Sequence, residues 1–227
     1  MRHSLAGRLL RAIASRRGSI VAPLSSNWQR ERRIIEETRS KTQLLLTDPA
    51  ALHLLACVRA CARLPAAMAE AGVFKGGSAR LICEDKGDAT LHLFDVFERL
   101  QASSGVEGED VRRHFGPVHG RLAEVRQLLA PYAGVHFHAG LFPETSRGLE
   151  QLRFSFVHLD LDLPGPTTTA LEFFHPRLVA GGILVGDDYG DAGVRGCFEA
   201  YFARQPDTVI ELPWSQVMVV RQGGGGN

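Results

Sequence analysis

The chain has 227 residues, 44% hydrophobic and 22% charged, with a net charge of +1, the balance of an ordinary soluble globular protein and enough for one large domain. It contains no run of 18 apolar residues, so no transmembrane helix is predicted and a membrane role is not expected. Residues 1–33 carry eight Arg and one Glu, leaving 18 basic against 24 acidic residues in the remainder; the mildly acidic body offers no nucleic-acid-binding face.

Residues 1–45 read as a basic N-terminal helical arm, residues 46–221 as the main domain, and residues 222–227 as a flexible Gly-rich tail. In the arm, Leu5, Leu9, Leu10 and Ile13 fall roughly on one helical face. Three readings stand: a targeting peptide, a membrane or polyanion contact, or a helix that packs on its own body or on a partner subunit. The apolar run is too short for a secretory signal.

Helices are predicted over Glu31–Leu46 and Pro49–Leu64, the second capped by Asp48 with Pro49 at the first helical position. Cys57 and Cys61 lie on one face of that helix, and no second pair with zinc-like spacing follows. With Cys83 and Cys197 they read as free thiols in a reducing cytoplasm. A strand over Ala66–Val73 leads through Lys75-Gly-Gly-Ser78 into a helix over Ser78–Glu84. The second strand, Thr90–Val96, ends on Asp95. A polar loop, Ser103–Asp110, precedes a helical pattern over Val111–Leu129 that Gly116, Pro117 and Gly120 interrupt. Later strands are Val135–His138, Phe154–Leu159, Ile183–Gly186, Thr208–Leu212 and Gln216–Val220, with helices over Thr167–Phe174 and Gly193–Arg204. This alternation predicts an α/β fold: a doubly wound, Rossmann-like, mainly parallel seven-stranded sheet that closes on an antiparallel hairpin around Pro213-Trp214-Ser215.

Two stretches carry chemistry. In Phe154-Ser-Phe-Val-His-Leu-Asp-Leu-Asp-Leu163 and Gly181-Gly-Ile-Leu-Val-Gly-Asp-Asp-Tyr189, apolar strands end on acids. Open α/β sheets bind ligands beyond the carboxyl ends of their strands. Asp160, Asp162, Asp187 and Asp188 would repel there unless a cation or a proton joins them. They therefore point to a divalent metal site or an acid/base site; helix capping is the plainer alternative.

The other stretch is Glu70-Ala-Gly-Val-Phe-Lys-Gly-Gly-Ser78, which is not the dinucleotide pattern Gly-x-Gly-x-x-Gly. Glu70 would repel a pyrophosphate but favour an amino group or a sulfonium. Gly72, Gly76 and Gly77 allow close backbone approach. Ser78 can cap the next helix or donate to a ligand carboxylate. Asp95 ends a strand where an acid accepts two ribose hydroxyls. Joined at this spacing, these residues point to S-adenosylmethionine; a tight turn with no ligand is the alternative.

These motifs occur in order with Phe94-Asp-Val-Phe-Glu98, Gly140-Leu-Phe-Pro-Glu-Thr145, His158-Leu-Asp-Leu-Asp-Leu163, Pro176-Arg-Leu-Val-Ala-Gly-Gly182, Asp187-Asp-Tyr-Gly190 and Gly193-Val-Arg195. The ordered set, from about Leu44 to Val220, resembles the class I S-adenosylmethionine-dependent methyltransferases of the macrocin O-methyltransferase type, which methylate sugar hydroxyls of macrolide antibiotics. The resemblance implies the class I methyltransferase fold. It implies that Glu70, Gly72, Phe74 and Ser78 line the methionine part, that Asp95 holds the ribose with Phe94 to Phe97 near the adenosine, and that Gly140, Leu141 and Phe142 lie beside the adenine. It implies magnesium on Asp160 (or Asp162), Asp187 and Asp188, with Asp160 at both cofactor and cation. It also implies a homo-oligomer.

A hydroxyl is a poor nucleophile, so a bound magnesium ion or a general base is needed. His114 and His119 lie in a segment that carries an active-site His in the family, and His114 is the catalytic candidate beside Asp160. His158 shares a strand face with Asp160, as a partner of the carboxylates or as a core histidine; His136 and His138 read as structural. Tyr189, Arg195 and Trp214 are possible acceptor contacts. Two departures fall where an acceptor would bind: Phe97-Glu-Arg-Leu100 in place of Phe-Glu-Gly-Leu-Pro, and Pro164-Gly165-Pro166 in place of a Tyr segment before Thr167. The expected activity is O-methylation of a sugar or glycosylated metabolite. The alternatives are a catechol-type enzyme, disfavoured because no Lys lies near Asp160, and a catalytically silent subunit that keeps the fold.

Overall fold

Among the described residues seven strands form one sheet. The computed structural model describes residues 25–97 and 120–223. His114 and His119, the first 24 residues of the basic arm and most of the Gly-rich tail lie outside the described residues. The strands are β1 Ala67–Ala71, β2 Leu91–Asp95, β3 Val135–Ala139, β4 Phe154–Leu159, β5 Leu178–Gly186, β6 Thr208–Leu212 and β7 Gln216–Val220, and they lie in the order β3-β2-β1-β4-β5-β7-β6. The first five run parallel, and β7 pairs antiparallel with both β5 and β6. The sequence order reverses between β1 and β4, and that reversal opens a crevice at the strands' carboxyl ends.

β1 and β4 are buried along their whole length because helices cover both faces of the sheet centre. On one face Met68, Leu93, Phe156 and Val185 pack with Leu54, Val58 and Leu81. On the other Ala69, Phe94, Phe154 and Val157 pack with Leu171, Phe174 and Phe198. The helices are α1 Gln29–Lys41, α2 Asp48–Cys61, α3 Gly77–Asp85, α4 Leu122–Leu129, α5 Pro164–Phe174 and α6 Ala192–Phe202. Among the described residues no helix is long and apolar enough to cross a membrane.

α1 belongs to the body of the domain. Ile34 and Ile35 join the core, Arg30 pairs with Asp85 at 2.7 Å, and Arg59 of α2 binds both Glu31 and Asp85. Two local expectations are corrected. The cap of α2 is Thr47, whose hydroxyl accepts from the Ala50 amide at 3.4 Å; Asp48 is the first helical residue and pairs with Arg39. β5 begins at Leu178, opposite Phe154, and a register irregularity between Phe154 and Phe156 absorbs Gly181 at φ +76°. The terminal hairpin has the expected bounds. Cys57, Cys61, Cys83 and Cys197 are all free thiols.

Candidate active site

The turn after β1 lies against the end of β4. Gly72, at φ +89°, donates its amide to the Phe94 carbonyl at 2.9 Å. A Cβ on Gly72 would lie 1.7 Å from the Asp160 carbonyl oxygen, so only glycine fits. Asp95 holds this turn from the neighbouring strand. Its Oδ2 accepts from the amides of Val73 at 2.7 Å and Phe74 at 2.8 Å, and its Oδ1 from the Phe97 amide at 2.6 Å. Burial raises the Asp95 carboxyl above its ordinary value against the opposing pull of these three donors, with Glu70 adding to the rise. Two carboxylate oxygens offer about four lone-pair sites, so capacity remains for ligand hydroxyls.

The acids gather beyond β4 and β5. The amide of Asp160 donates to Ala71 at 2.9 Å and that of Asp187 to Leu159 at 2.8 Å, which fixes both backbones to neighbouring strand ends. Asp162 and Asp188 each adopt φ +57°, a strained conformation for a non-glycine residue and one that recurs at functional sites. Donor atoms of Asp160, Asp162 and Asp188 all lie within 4.8 Å of one another, and so do those of His158, Asp160 and Asp187. Burial and then the Asp187 charge push the Asp160 carboxyl well above the usual range. Burial and then the Asp188 charge push Asp162 up to about 7. Asp188 Oδ2 is buried without a hydrogen-bond partner. Clustered oxygen donors, mutual repulsion and an orphaned carboxylate oxygen are what a hard divalent cation satisfies.

His158 lies between two carboxylates. Its Nδ1 is 2.8 Å from Glu70 Oε1 and its Nε2 is 2.9 Å from Asp187 Oδ2. Burial alone would favour neutral imidazole, yet the hydrogen bonds to Asp187 and Glu70 hold its pKa well above the ordinary value. With both nitrogens occupied, His158 is not itself a cation ligand.

One cavity of about 580 Å³ joins these features, and Gly72, Phe74, Asp95, Gly140, Leu141, Phe142, Asp160, Asp187 and Asp188 line it. Glu70, Ser78 and Phe97 stand off its wall. Glu70 is cross-strand neighbour to His158, so its fully buried carboxylate reaches sideways to the imidazole. Ser78 and Phe97 are buried, Phe97 within the core beside α2 and α3. Of the suggested acceptor contacts, Trp214 lines the cavity together with Ser215. Arg195 pairs instead with Glu211, at 2.6 Å, and stacks on Tyr189 at 4.2 Å. The sequence reading missed a further wall, Gln43, Leu45, Leu46 and Thr47 from the link between α1 and α2 and Ala50 from the first turn of α2. Its one sequence signal is the apolar run Leu44-Leu45-Leu46 beside a helix end. Leu45 is 67% exposed at this wall.

The strand order, the antiparallel β7 and a crevice at the strand ends define a class I methyltransferase fold. Residues 50–217 match the macrocin-O-methyltransferase (TylF) family, and the chain belongs to that family. It is 32% identical, over 155 residues, to the 8-demethyl-8-(2,3-dimethoxy-alpha-L-rhamnosyl)-tetracenomycin-C 4'-O-methyltransferase of Streptomyces olivaceus. That match covers 62% of this chain and 59% of the relative's length. Among solved structures, the O-methyltransferase NovP is similar at TM-score 0.63 and 21% identity, over 75% of this chain and 78% of that one. The O-methyltransferase TomG from Streptomyces achromogenes, in complex with SAM, is similar at TM-score 0.57 and 16% identity, over 97% and 100%.

Proposed function

We propose that this chain transfers a methyl group from S-adenosylmethionine to a hydroxyl of a sugar on a glycosylated natural product, with a magnesium ion held by Asp160, Asp187 and Asp188. One observation carries the reading: a single cavity is lined by the glycine turn, by Asp95 and by four carboxylates. The membership in the macrocin-O-methyltransferase family supports the reaction, the SAM-bound TomG supports the cofactor, and the rhamnosyl-tetracenomycin relative supports a glycosylated acceptor. The family resemblance supports a homo-oligomer, and the free thiols support a cytoplasmic location.

The chain's own residues bind and orient. Gly72 brings the turn backbone against β4, and Asp95 holds the amides of that turn and so fixes the shape of the backbone that the nucleoside meets. The Gly140-Leu141-Phe142 turn supplies an apolar wall suited to a base. Asp160, Asp187 and Asp188 supply oxygen donors at the acceptor end, with Asp162 beside them. Leu45, Leu46 and Trp214 give that end apolar cover that excludes water. When bound, S-adenosylmethionine supplies the methyl group and the cation lowers the pKa of the acceptor hydroxyl. His114 stays the proposed base on sequence grounds alone.

Calorimetry with S-adenosylhomocysteine tests the cofactor half. Saturable binding that Asp95→Ala weakens is expected, and absence of binding by the native chain contradicts the reading.

A further inference from the structure

The acids belong to a longer buried polar row on the sheet face that packs against α2. The row crosses four strands: Glu70 on β1, His158 on β4, Asp187 just past β5 and Gln216 on β7. It then turns up to His53 and Cys57 on α2.

Two side chains donate to the same oxygen of Asp187. His158 Nε2 reaches Oδ2 at 2.9 Å and Gln216 Nε2 reaches it at 3.2 Å. The orientation of the Gln216 amide follows from its neighbours. Trp214 Nε1 is 3.0 Å from Gln216 Oε1, and an indole nitrogen only donates. That side of the amide is therefore the oxygen, and its NH₂ must face Asp187. His53 Nδ1 also meets Oε1, at 2.9 Å, so this nitrogen donates and the neutral ring presents a lone pair at Nε2. The Cys57 sulfur lies 3.1 Å from that Nε2. Burial pushes the Cys57 thiol up to about 12, so the thiol keeps its proton, and Met218 Sδ lies 3.7 Å from that sulfur and 3.4 Å from His53 Nε2. The hydrogen bonds thus run in one direction, from His53 through Gln216 to Asp187. On the other side both ring nitrogens of His158 face carboxylate oxygens, so both donate. Gln216 and His158 are fully buried, and their own partners fix their rotamers.

We propose that His158 and Gln216 are positioning residues for the cation site, holding the Asp187 carboxylate by Oδ2 and leaving Oδ1 to ligate. The inference rests on the reading of Asp160, Asp187 and Asp188 as cation ligands. A ligand carboxylate held in place before the cation arrives loses less freedom on binding, and partners behind metal ligands commonly set affinity by roughly ten- to hundredfold.

The test is calorimetric titration of the full chain with MgCl₂ in saturating S-adenosylhomocysteine. Two double variants remove the buried charges of the pair and differ in the donor they leave. E70Q/H158Q keeps an amide N–H near the place of His158 Nε2; E70L/H158L keeps none. E70Q/H158Q is expected to bind Mg²⁺ within about threefold of native, and E70L/H158L and Q216M roughly ten- to hundredfold more weakly. Affinity for S-adenosylhomocysteine should stay unchanged in Q216M, a split that general loosening of the fold would not give. Native-like Mg²⁺ affinity in both E70L/H158L and Q216M overturns the proposal. If circular dichroism shows E70L/H158L unfolded, Q216M decides alone. Native protein that binds no Mg²⁺ overturns the cation reading and this inference with it, an outcome distinct from equal binding by native and variants.

Discussion

Gly72 and Asp160 meet backbone to backbone: a Cβ on Gly72 would lie 1.7 Å from the Asp160 carbonyl oxygen, and the residue before Gly72 accepts the Asp160 amide at 2.9 Å. The turn after β1 and the end of β4 at Asp160 are therefore one rigid unit. Gly72→Ala must push β1 and β4 apart and also hold φ +89°, which costs an L-residue about 1–2 kcal/mol before any clash. The expected result is a melting temperature lower by several degrees, with weakened binding of both S-adenosylhomocysteine and Mg²⁺. Loss of one ligand without the other would show the two ends to be independent.

Asp95 is expected to act through the turn as well as on the ligand. Asp95→Asn leaves one acceptor oxygen for the three amides of Val73, Phe74 and Phe97, and an unsatisfied buried amide costs about 1–3 kcal/mol. Both thermal stability and S-adenosylhomocysteine affinity should fall in Asp95→Asn. An affinity loss at unchanged stability would assign Asp95 to the ribose alone.

The fold was legible because its strands are short apolar runs with acids or glycines at their ends. Phe154–Leu159 and the hairpin strands were read at their observed bounds, since buried runs and turn residues mark them locally. The start of β5 was not legible, because it depends on Leu178 finding Phe154 across the sheet. Among site residues, local sequence placed Gly72, Asp95 and the four acids on the cavity wall. It gave no sign that Glu70 meets His158, which is 88 residues away and becomes a neighbour only once β1 and β4 pair. The Leu45 wall was missed for the same reason: a link outside the sheet carries no strand-end signal.

Acid should weaken the end of the sheet away from the cavity. Buried Asp207 accepts from the Gln222 amide at 2.7 Å, from His175 Nε2 at 2.9 Å and from Arg221 at 2.9 Å. Against the cost of burial, these partners lower its pKa; burial also lowers that of His175. In both cases the unfolded chain binds more protons as pH falls, so stability is lost on acidification. The His175 part fades below about pH 6.5 and the Asp207 part below about pH 4. Asp207→Asn should lower the melting temperature at pH 7.5, and the gap to native should narrow toward pH 3.5. A gap that does not change with pH would mean that the Asp207 charge adds nothing.

The carboxylates should be separable from the nucleoside end. Asp187→Asn keeps the shape and removes a charge from the cluster, so it should weaken Mg²⁺ binding and methyl transfer while S-adenosylhomocysteine binding is retained. Equal methyl-transfer rates in native and Asp187→Asn would remove Asp187 from the reaction.

The most direct measurement is mass spectrometry of a panel of glycosylated natural products incubated with the chain and S-adenosylmethionine, with Mg²⁺ or with EDTA. The account predicts a gain of one methyl group on a sugar hydroxyl, abolished by EDTA and restored by added Mg²⁺. Full transfer in EDTA would contradict the cation at Asp160, Asp187 and Asp188, and transfer only to non-glycosylated phenols would contradict the sugar acceptor.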